Sequence, residues 1–430
     1  MALTGRAAVA AAAGALLILA FRNATLIIFV NLALVAAIAA DVALAAPVRK
    51  VGLARSGDTR VLLGECASVV LEIVNPARRA LRAVVRDAWQ PSAGATPPHT
   101  SLTVAAGGRA MLTTQLRPDR RGDKDAAAVT IRSLGPLGLA ARQGRRPAPW
   151  TVRVLPPFHS RRHLPEKLSR LRQLDGQHRA LLRGQGSEFD SLREYVIGDD
   201  VRSIDWRATA RLRDVMVRTW RPERDRQILI MLDTGRTSAG RVGGVPRLDA
   251  AMDAALLLTA LASRAGDRVD MLAFDRRVRA RVVGAPRSAV LSAVAQAMAG
   301  LQAELVETDA AALGSAALTT ARHRSLIVLL TDLNPAAVTE GLLPRLRLLA
   351  ARHEVVVAAV ADPALEAMSA DRSDAAAVYD AAAAQQALAA RNQVSALLQR
   401  RGAHVVDAPP ERLPAALADA YLGLKAAGRL

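Results

Sequence analysis

Oxygen-bearing side chains at three separated points of the chain could together hold a hard cation or receive an acidic group. The first point, RQILIMLDTGRT, closes an apolar run with Asp233 and follows it with Gly235 and Thr237. The second, ELVETDAAAL, offers Thr308 and Asp309, and the third, SLIVLLTD, ends in Thr331 and Asp332. Carboxylate and hydroxyl oxygens from separate loops suit an octahedral divalent ion such as Mg²⁺, which keeps some water and accepts a further carboxylate from outside. The plainer chemistry is capping, because Asp commonly ends strands and starts helices.

A second concentration runs from Gly186 to Arg218, with seven carboxylates and six arginines in 33 residues. It reads as a collar joining a binding domain to a membrane-tethered part. Glu188, Asp199, Asp200 and Asp205 face Arg193, Arg202, Arg207 and Arg211 in a mutual ion-pair network, with Gly198 in a turn and Tyr195 and Trp206 packed against a sheet. Paired carboxylates can also bind metal or work as acid and base, which would make a metal-dependent hydrolase. The near-equal number of arginines favours neutralisation, hence a structural or partner-docking role, over shifted pKa values.

Other chemistry finds little footing. No G-x-x-x-x-G-K-[ST] loop, G-x-S-x-G elbow or H-E-x-x-H is present, so ATP hydrolysis by this chain is not expected. The seven histidines are scattered, each expected at a surface or helix end. With one cysteine, Cys66, neither an internal disulfide nor a cysteine zinc site can form, and its strand-like surroundings predict an inert core position.

The elements that position these groups fall into four segments. Residues 1–47 hold two apolar runs, Ala7–Phe21 and Ala24–Ala40, separated by Arg22 and Asn23 and closed by Asp41. They predict a helical hairpin that crosses a membrane twice. Basic residues flank its outer ends, Arg6 before and Arg49, Lys50, Arg55 and Arg60 after, so the bulk of the chain is expected in the cytoplasm, beneath a cell membrane. Residues 48–157 alternate apolar and polar in short runs between turns, predicting an immunoglobulin-like β-sandwich. Residues 158–222 start with a basic connector helix, apolar at Leu164, Leu168, Leu171 and Leu174, and end in the collar. Residues 223–430 alternate strand and helix, predicting a doubly wound, mostly parallel α/β sheet whose ligands gather at its C-terminal strand edge.

Net charge is +19, and residues 48–222 carry 32 Lys and Arg against 16 Asp and Glu. Without aromatic sheet motifs, zinc knuckles or long basic blocks, nucleic acid is not expected, and anionic membrane lipid is the partner for this basic half.

The Asp233, Thr237, Thr308 and Asp332 pattern resembles the metal-ion-dependent adhesion site of von Willebrand factor A domains. On that resemblance Asp233 is the first aspartate, Thr237 the second hydroxyl, Thr308 the separate threonine and Asp332 the last aspartate. Gly235 stands where the motif has its first serine, a vacancy left for water. The segments EFDSLREYVIGDDVRSIDWRATAR and RRGDKDAAAVTIRSLGPLGLAAR resemble the signature stretches of the bacterial family called domain of unknown function 58. That resemblance implies two spans, a β domain and a von Willebrand factor A-like domain. It further implies a non-enzymatic assembly or chaperone-like partnership with MoxR-type AAA+ ATPases. A purely structural membrane scaffold is the remaining reading.

Overall fold

The computed structural model describes residues 2–21, 23–181, 188–212, 214–221 and 226–430. They form two compact units, Met1–Pro157 and Phe158–Leu430.

The first unit opens with a short strand β1 (Ala2–Leu3), then helices α1 (Gly5–Phe21) and α2 (Ala24–Leu44). Arg22 of the predicted turn lies outside the described residues. Asn23 starts α2 by accepting from the Thr25 N–H at 2.9 Å. Among the described residues one helical stretch, Ala24–Lys50, is long and apolar enough to cross a membrane. Helix α1 spans 17 residues, about 25 Å at the usual rise, less than a hydrocarbon core of about 30 Å.

Ten strands follow: β2 (Gly52–Gly57), β3 (Arg60–Leu62), β4 (Ala67–Val74), β5 (Leu81–Trp89), β6 (Ala95–Thr96), β7 (Thr100–Val104), β8 (Arg109–Leu116), β9 (Gly122–Leu134), β10 (Ala140–Arg146) and β11 (Thr151–Leu155). They build a sheet β2-β4-β8-β6 and a second in which β9 pairs with β10, β11 and β5. Alternate residues point inward, Leu71 and Ile73 of β4 meeting Leu81, Val85 and Ile131 of the other sheet in one buried cluster. Cys66 is a correction: it sits in the turn before β4 and is exposed, because the strand starts one residue later.

The sequence places a polar boundary at Asp41, yet α2 continues to Leu44 and Asp41 is fully buried. Its carboxylate accepts from the backbone N–H groups of Leu137, Leu139 and Ala140 at 2.8, 2.7 and 2.8 Å. Gly135 packs so closely there that a Cβ would overlap the carboxylate. The Thr4 N–H, just before α1, donates to the Leu139 carbonyl of the same loop at 3.0 Å. The β9–β10 loop therefore grips both outer ends of the helical pair.

The second unit starts with α3 (Leu164–Leu181), whose Leu164 and Leu171 are buried as the apolar spacing predicts. Next come β12 (Glu188–Glu194), α4 (Trp206–Leu212) and β13 (Met216–Arg221), with β12 and β13 paired in a two-stranded ribbon of their own. The remaining elements are β14 (Gln227–Asp233), β15 (Arg241–Val242), β16 (Val245–Pro246), α5 (Arg247–Arg264), β17 (Arg268–Phe274), β18 (Val278–Val282), α6 (Val290–Ala299), α7 (Ala310–Thr320), β19 (Ser325–Leu330), α8 (Leu343–Ala350), β20 (Glu354–Val360), α9 (Pro363–Ala370), α10 (Ala375–Arg400), β21 (Ala403–Ala408) and α11 (Leu413–Ala426).

Their six-stranded sheet has the order β18-β17-β14-β19-β20-β21, parallel throughout except for the antiparallel edge strand β18. Strands β14, β19 and β20 are apolar along nearly their whole length because both faces are covered. Helices α5, α6 and α11 bury one face with α3, while α7, α8 and α10 bury the other. The chain winds from β14 outward to β17, then returns to add β19 on the opposite side of β14. That reversal leaves a crevice beyond the C-terminal ends of β14 and β19.

Candidate functional site

The crevice at this switch point has a volume of about 40 Å³. It brings Asp233, Thr237, Thr308, Thr331 and Asp332 together over an apolar floor that includes Leu313, Leu329 and Val338. Asp233 arrives as the last residue of β14, Thr331 and Asp332 directly follow β19, and Thr308 precedes α7. Asp309 caps α7 through the Ala312 N–H at 2.9 Å, which fixes the loop carrying Thr308.

Asp233 is the hub. Thr308 Oγ1 donates to its Oδ1 at 2.6 Å, Thr331 Oγ1 to its Oδ2 at 2.6 Å, and the Gly235 N–H to Oδ1 at 2.8 Å. Burial pushes its carboxyl above the ordinary value, since these three donors only partly offset lost hydration, and the nearby Asp332 charge acts in the same direction. Thr331 belongs to the site although the adhesion-site pattern does not include it; its signal was its place beside Asp332 at the end of an apolar run.

Gly235 has an ordinary backbone conformation, φ −77° and ψ −172°, so no left-handed turn requires it. Close approach does: a Cβ would fall on the Thr308 hydroxyl. The vacancy expected to hold water is thus filled by Thr308, a correction with a steric cause.

Asp332 is held by two arginines that sequence reasoning missed. Arg247 Nη1 lies 2.6 Å from Oδ2 and Arg391 Nη1 2.8 Å from Oδ1. Arg391 also forks onto Asp407 at 2.6 and 2.8 Å and donates to the Val360 carbonyl at 3.0 Å. Burial works against its charge, but Asp407 and Asp332 outweigh that and hold the guanidinium above its ordinary value. One arginine opens α5 and the other lies within α10, 144 positions apart by number, and no local pattern joins them.

The donor set can be weighed against Mg²⁺ on this geometry. Both Asp332 oxygens are engaged by guanidinium groups, and no group of three His, Cys, Asp or Glu is gathered among the described residues. A divalent ion beside two fixed arginines meets positive charge where it needs carboxylate. As arranged, the residues do not fit a bound Mg²⁺.

None of the described collar residues lines the crevice. Asp199 accepts from the Val196 N–H at 2.9 Å and pairs with Arg193 at 2.5 Å. Asp205 caps α4 through the Arg207 and Ala208 N–H groups, both at 3.0 Å, and pairs with Arg218 at 2.8 Å. Asp200 accepts from the Arg202 N–H at 2.9 Å. The Arg193 hydrogen bond lowers the Asp199 carboxyl, and the Ala208 N–H, then Arg218, lower that of Asp205. The expected neutralisation is therefore local and served by Arg193 and Arg218, while Arg202, Arg207 and Arg211 stay exposed. The Glu188 side chain lies outside the described ones. Trp206 is a correction: it is 69% exposed, because the ribbon is not part of the large sheet and offers no apolar face there. Tyr195 is half-buried. His353 also departs from expectation, since it is buried rather than at a surface, and burial lowers its pKa.

Fold and crevice define a class: a chain with a membrane-length helix, a β-sandwich unit, and a three-layer α/β unit with a polar site at its switch point. Residues 191–402 match the family described as Protein of unknown function DUF58, and the chain belongs to that family. Uncharacterized proteins of Mycobacterium tuberculosis and Mycobacterium bovis are each 33% identical over 199 residues, covering 44% of this chain and 60% of theirs. The chain thus spans about 60% of the length of these curated relatives. Among solved structures, the CARDB domain of the PF1109 protein from Pyrococcus furiosus, in complex with di-metal ions, aligns with a TM-score of 0.19 at 13% identity over 25% of this chain and 88% of that one. The cupredoxin domain of amoB from Nitrosocaldus yellowstonii aligns with a TM-score of 0.18 at 13% identity over 25% and 89%.

Proposed function

We propose that this protein is a membrane-anchored, non-catalytic protein-binding module whose crevice at the ends of β14 and β19 receives a cytosolic partner. The observation that carries this reading is the convergence of three distant loops on Asp233, with Thr237 and Thr331 at the rim of the same opening. A crevice at a switch point is where such sheets place ligands. The sheet order and the Asp233, Thr308 and Asp332 arrangement support a von Willebrand factor A-like unit. A second span for α1 is supported by the β9–β10 loop holding both outer ends of the helical pair, which lets the chain leave and return on one side. A non-catalytic collar is supported by its carboxylates, which serve as caps and ion-pair partners, with Asp199 and Asp205 lowered rather than raised.

The family resemblance makes a MoxR-type AAA+ ATPase the partner to test. Binding here does not require a resident ion, since Arg247 and Arg391 already supply the positive charge at Asp332. Pull-down of that ATPase from the source bacterium by the full chain is the experiment. Thr237→Val and Thr331→Val are expected to reduce recovery by about tenfold or more, as for loss of an interface anchor, with unchanged recovery in EDTA. Full recovery by both variants would refute the crevice as the docking site. Loss of recovery in EDTA alone would show that a metal bridges the contact.

A further inference from the structure

The ribbon lobe between 191 and 218 exposes apolar and basic side chains that the crevice does not use. Ile197 is 96% exposed and Val201 64%, both in the turns that join β12 to α4. On α4, at 100° per residue, Trp206, Ala210, Arg207 and Arg211 occupy one arc of about 140°. All four are exposed, whereas Ala208 and Thr209 turn inward. Thr209 anchors that inner side, its Oγ1 accepting from the Met216 N–H at 3.0 Å. Asp199 and Asp205 are consumed inside the lobe by Arg193 and Arg218. The exposed acids, Glu194, Asp200 and Asp214, lie outside the helical arc.

An exposed arc of tryptophan and arginine, preceded in the chain by turns with exposed aliphatic residues, has the chemistry of a bilayer interface. The ring sits at headgroup depth, the guanidinium groups pair with lipid phosphate, and the aliphatic tips enter the acyl boundary. The same chain carries a helix able to span a bilayer, and residues 48–222, which include this lobe, hold a twofold excess of basic over acidic residues. We infer that this lobe rests on the anionic face of the membrane that anchors the protein, with Trp206, Arg207 and Arg211 as its contact. The inference rests on the membrane-anchored reading above. It assigns the collar a lipid contact separate from partner binding in the crevice. Juxtamembrane arginines contribute about 1 kcal/mol each near an anionic surface, so removing two changes the docked-to-free ratio by about 30-fold.

The test uses the full chain in lipid nanodiscs, with Cys66→Ala as background and an environment-sensitive dye at one introduced cysteine. Ala210→Cys reports on the lobe, Leu32→Cys on α2, and Ser315→Cys, exposed on α7, on water. The expected result is a blue-shifted dye at 210, quenched by headgroup-level spin-labelled lipid in discs containing phosphatidylglycerol. Pure phosphatidylcholine discs, and the Arg207→Gln/Arg211→Gln variant, are expected to lose that signal. A dye at 210 that matches the one at 315 while the dye at 32 is lipid-quenched overturns the lobe contact and leaves the anchor standing. An unquenched dye at 32 overturns the anchor itself. A blue shift at 210 without lipid quenching points to a protein surface, and also overturns the inference.

Discussion

Replacing Gly235 by serine, the residue the adhesion-site motif has there, separates a steric account of this site from a missing-ligand account. An ideal Cβ at this position falls on the Thr308 hydroxyl and lies 3.0 Å from the Val306 carbonyl oxygen and 3.1 Å from Asp233 Oδ1. The carbonyl cannot retreat freely, because it accepts the Arg236 N–H at 2.8 Å. Thr308 must therefore swing away and surrender its 2.6 Å hydrogen bond to Asp233. Taking away one partner of a buried hydrogen bond costs about 1–3 kcal/mol. Crowding against backbone adds about 1 kcal/mol, and the new hydroxyl recovers part of the loss, leaving a net cost of about 2–3 kcal/mol. For a unit of this size the thermal midpoint should fall by roughly 5 °C. The assay is thermal unfolding of the full chain followed by near-ultraviolet circular dichroism, with Mg²⁺ or EDTA, and the same fall is expected in both. An unchanged midpoint would refute the close approach of Thr308. A midpoint raised by Mg²⁺ in the serine variant alone would show that Arg247 and Arg391 do not exclude an ion.

Two further outcomes follow from buried carboxylates. Because burial raises Asp233 above its unfolded value, its contribution to stability is fully present below about pH 4 and lost as pH rises through the folded value. Asp233→Asn should then gain on the parent in urea titrations as pH rises from about 4 through the folded value of Asp233; a variant that loses ground over that rise would contradict the burial argument. Asp41→Ala leaves the N–H groups of Leu137, Leu139 and Ala140 without their carboxylate, at a cost of about 3 kcal/mol or more. Hydrogen exchange at those three amides should quicken while β4 amides stay protected, and unchanged exchange would show that Asp41 does not hold the loop.

Much of the architecture could be read from pattern alone. Continuous apolar runs such as ILIMLD and SLIVLL announce strands covered on both faces, and the leucines of α3 at helical spacing announce its packed side, because burial repeats with backbone geometry. The polar hub was legible for a related reason. Asp233, Thr308 and Asp332 sit at element ends, where a side chain that does not continue the apolar run points to the sheet edge.

What only the tertiary structure decided is which charge meets which. Asp332 drew its two arginines from the start of α5 and the middle of α10, and Asp41 found its donors nearly a hundred residues away. Such partners depend on how helices cross a sheet, not on spacing along the chain. Trp206 teaches the converse: an aromatic residue predicts burial only if a face is there to cover it, and the ribbon provides none. Gly235 joins the two levels, since its identity is visible in the sequence but its reason, the space taken by the Thr308 hydroxyl, exists only once two loops 73 positions apart by number have been brought into contact.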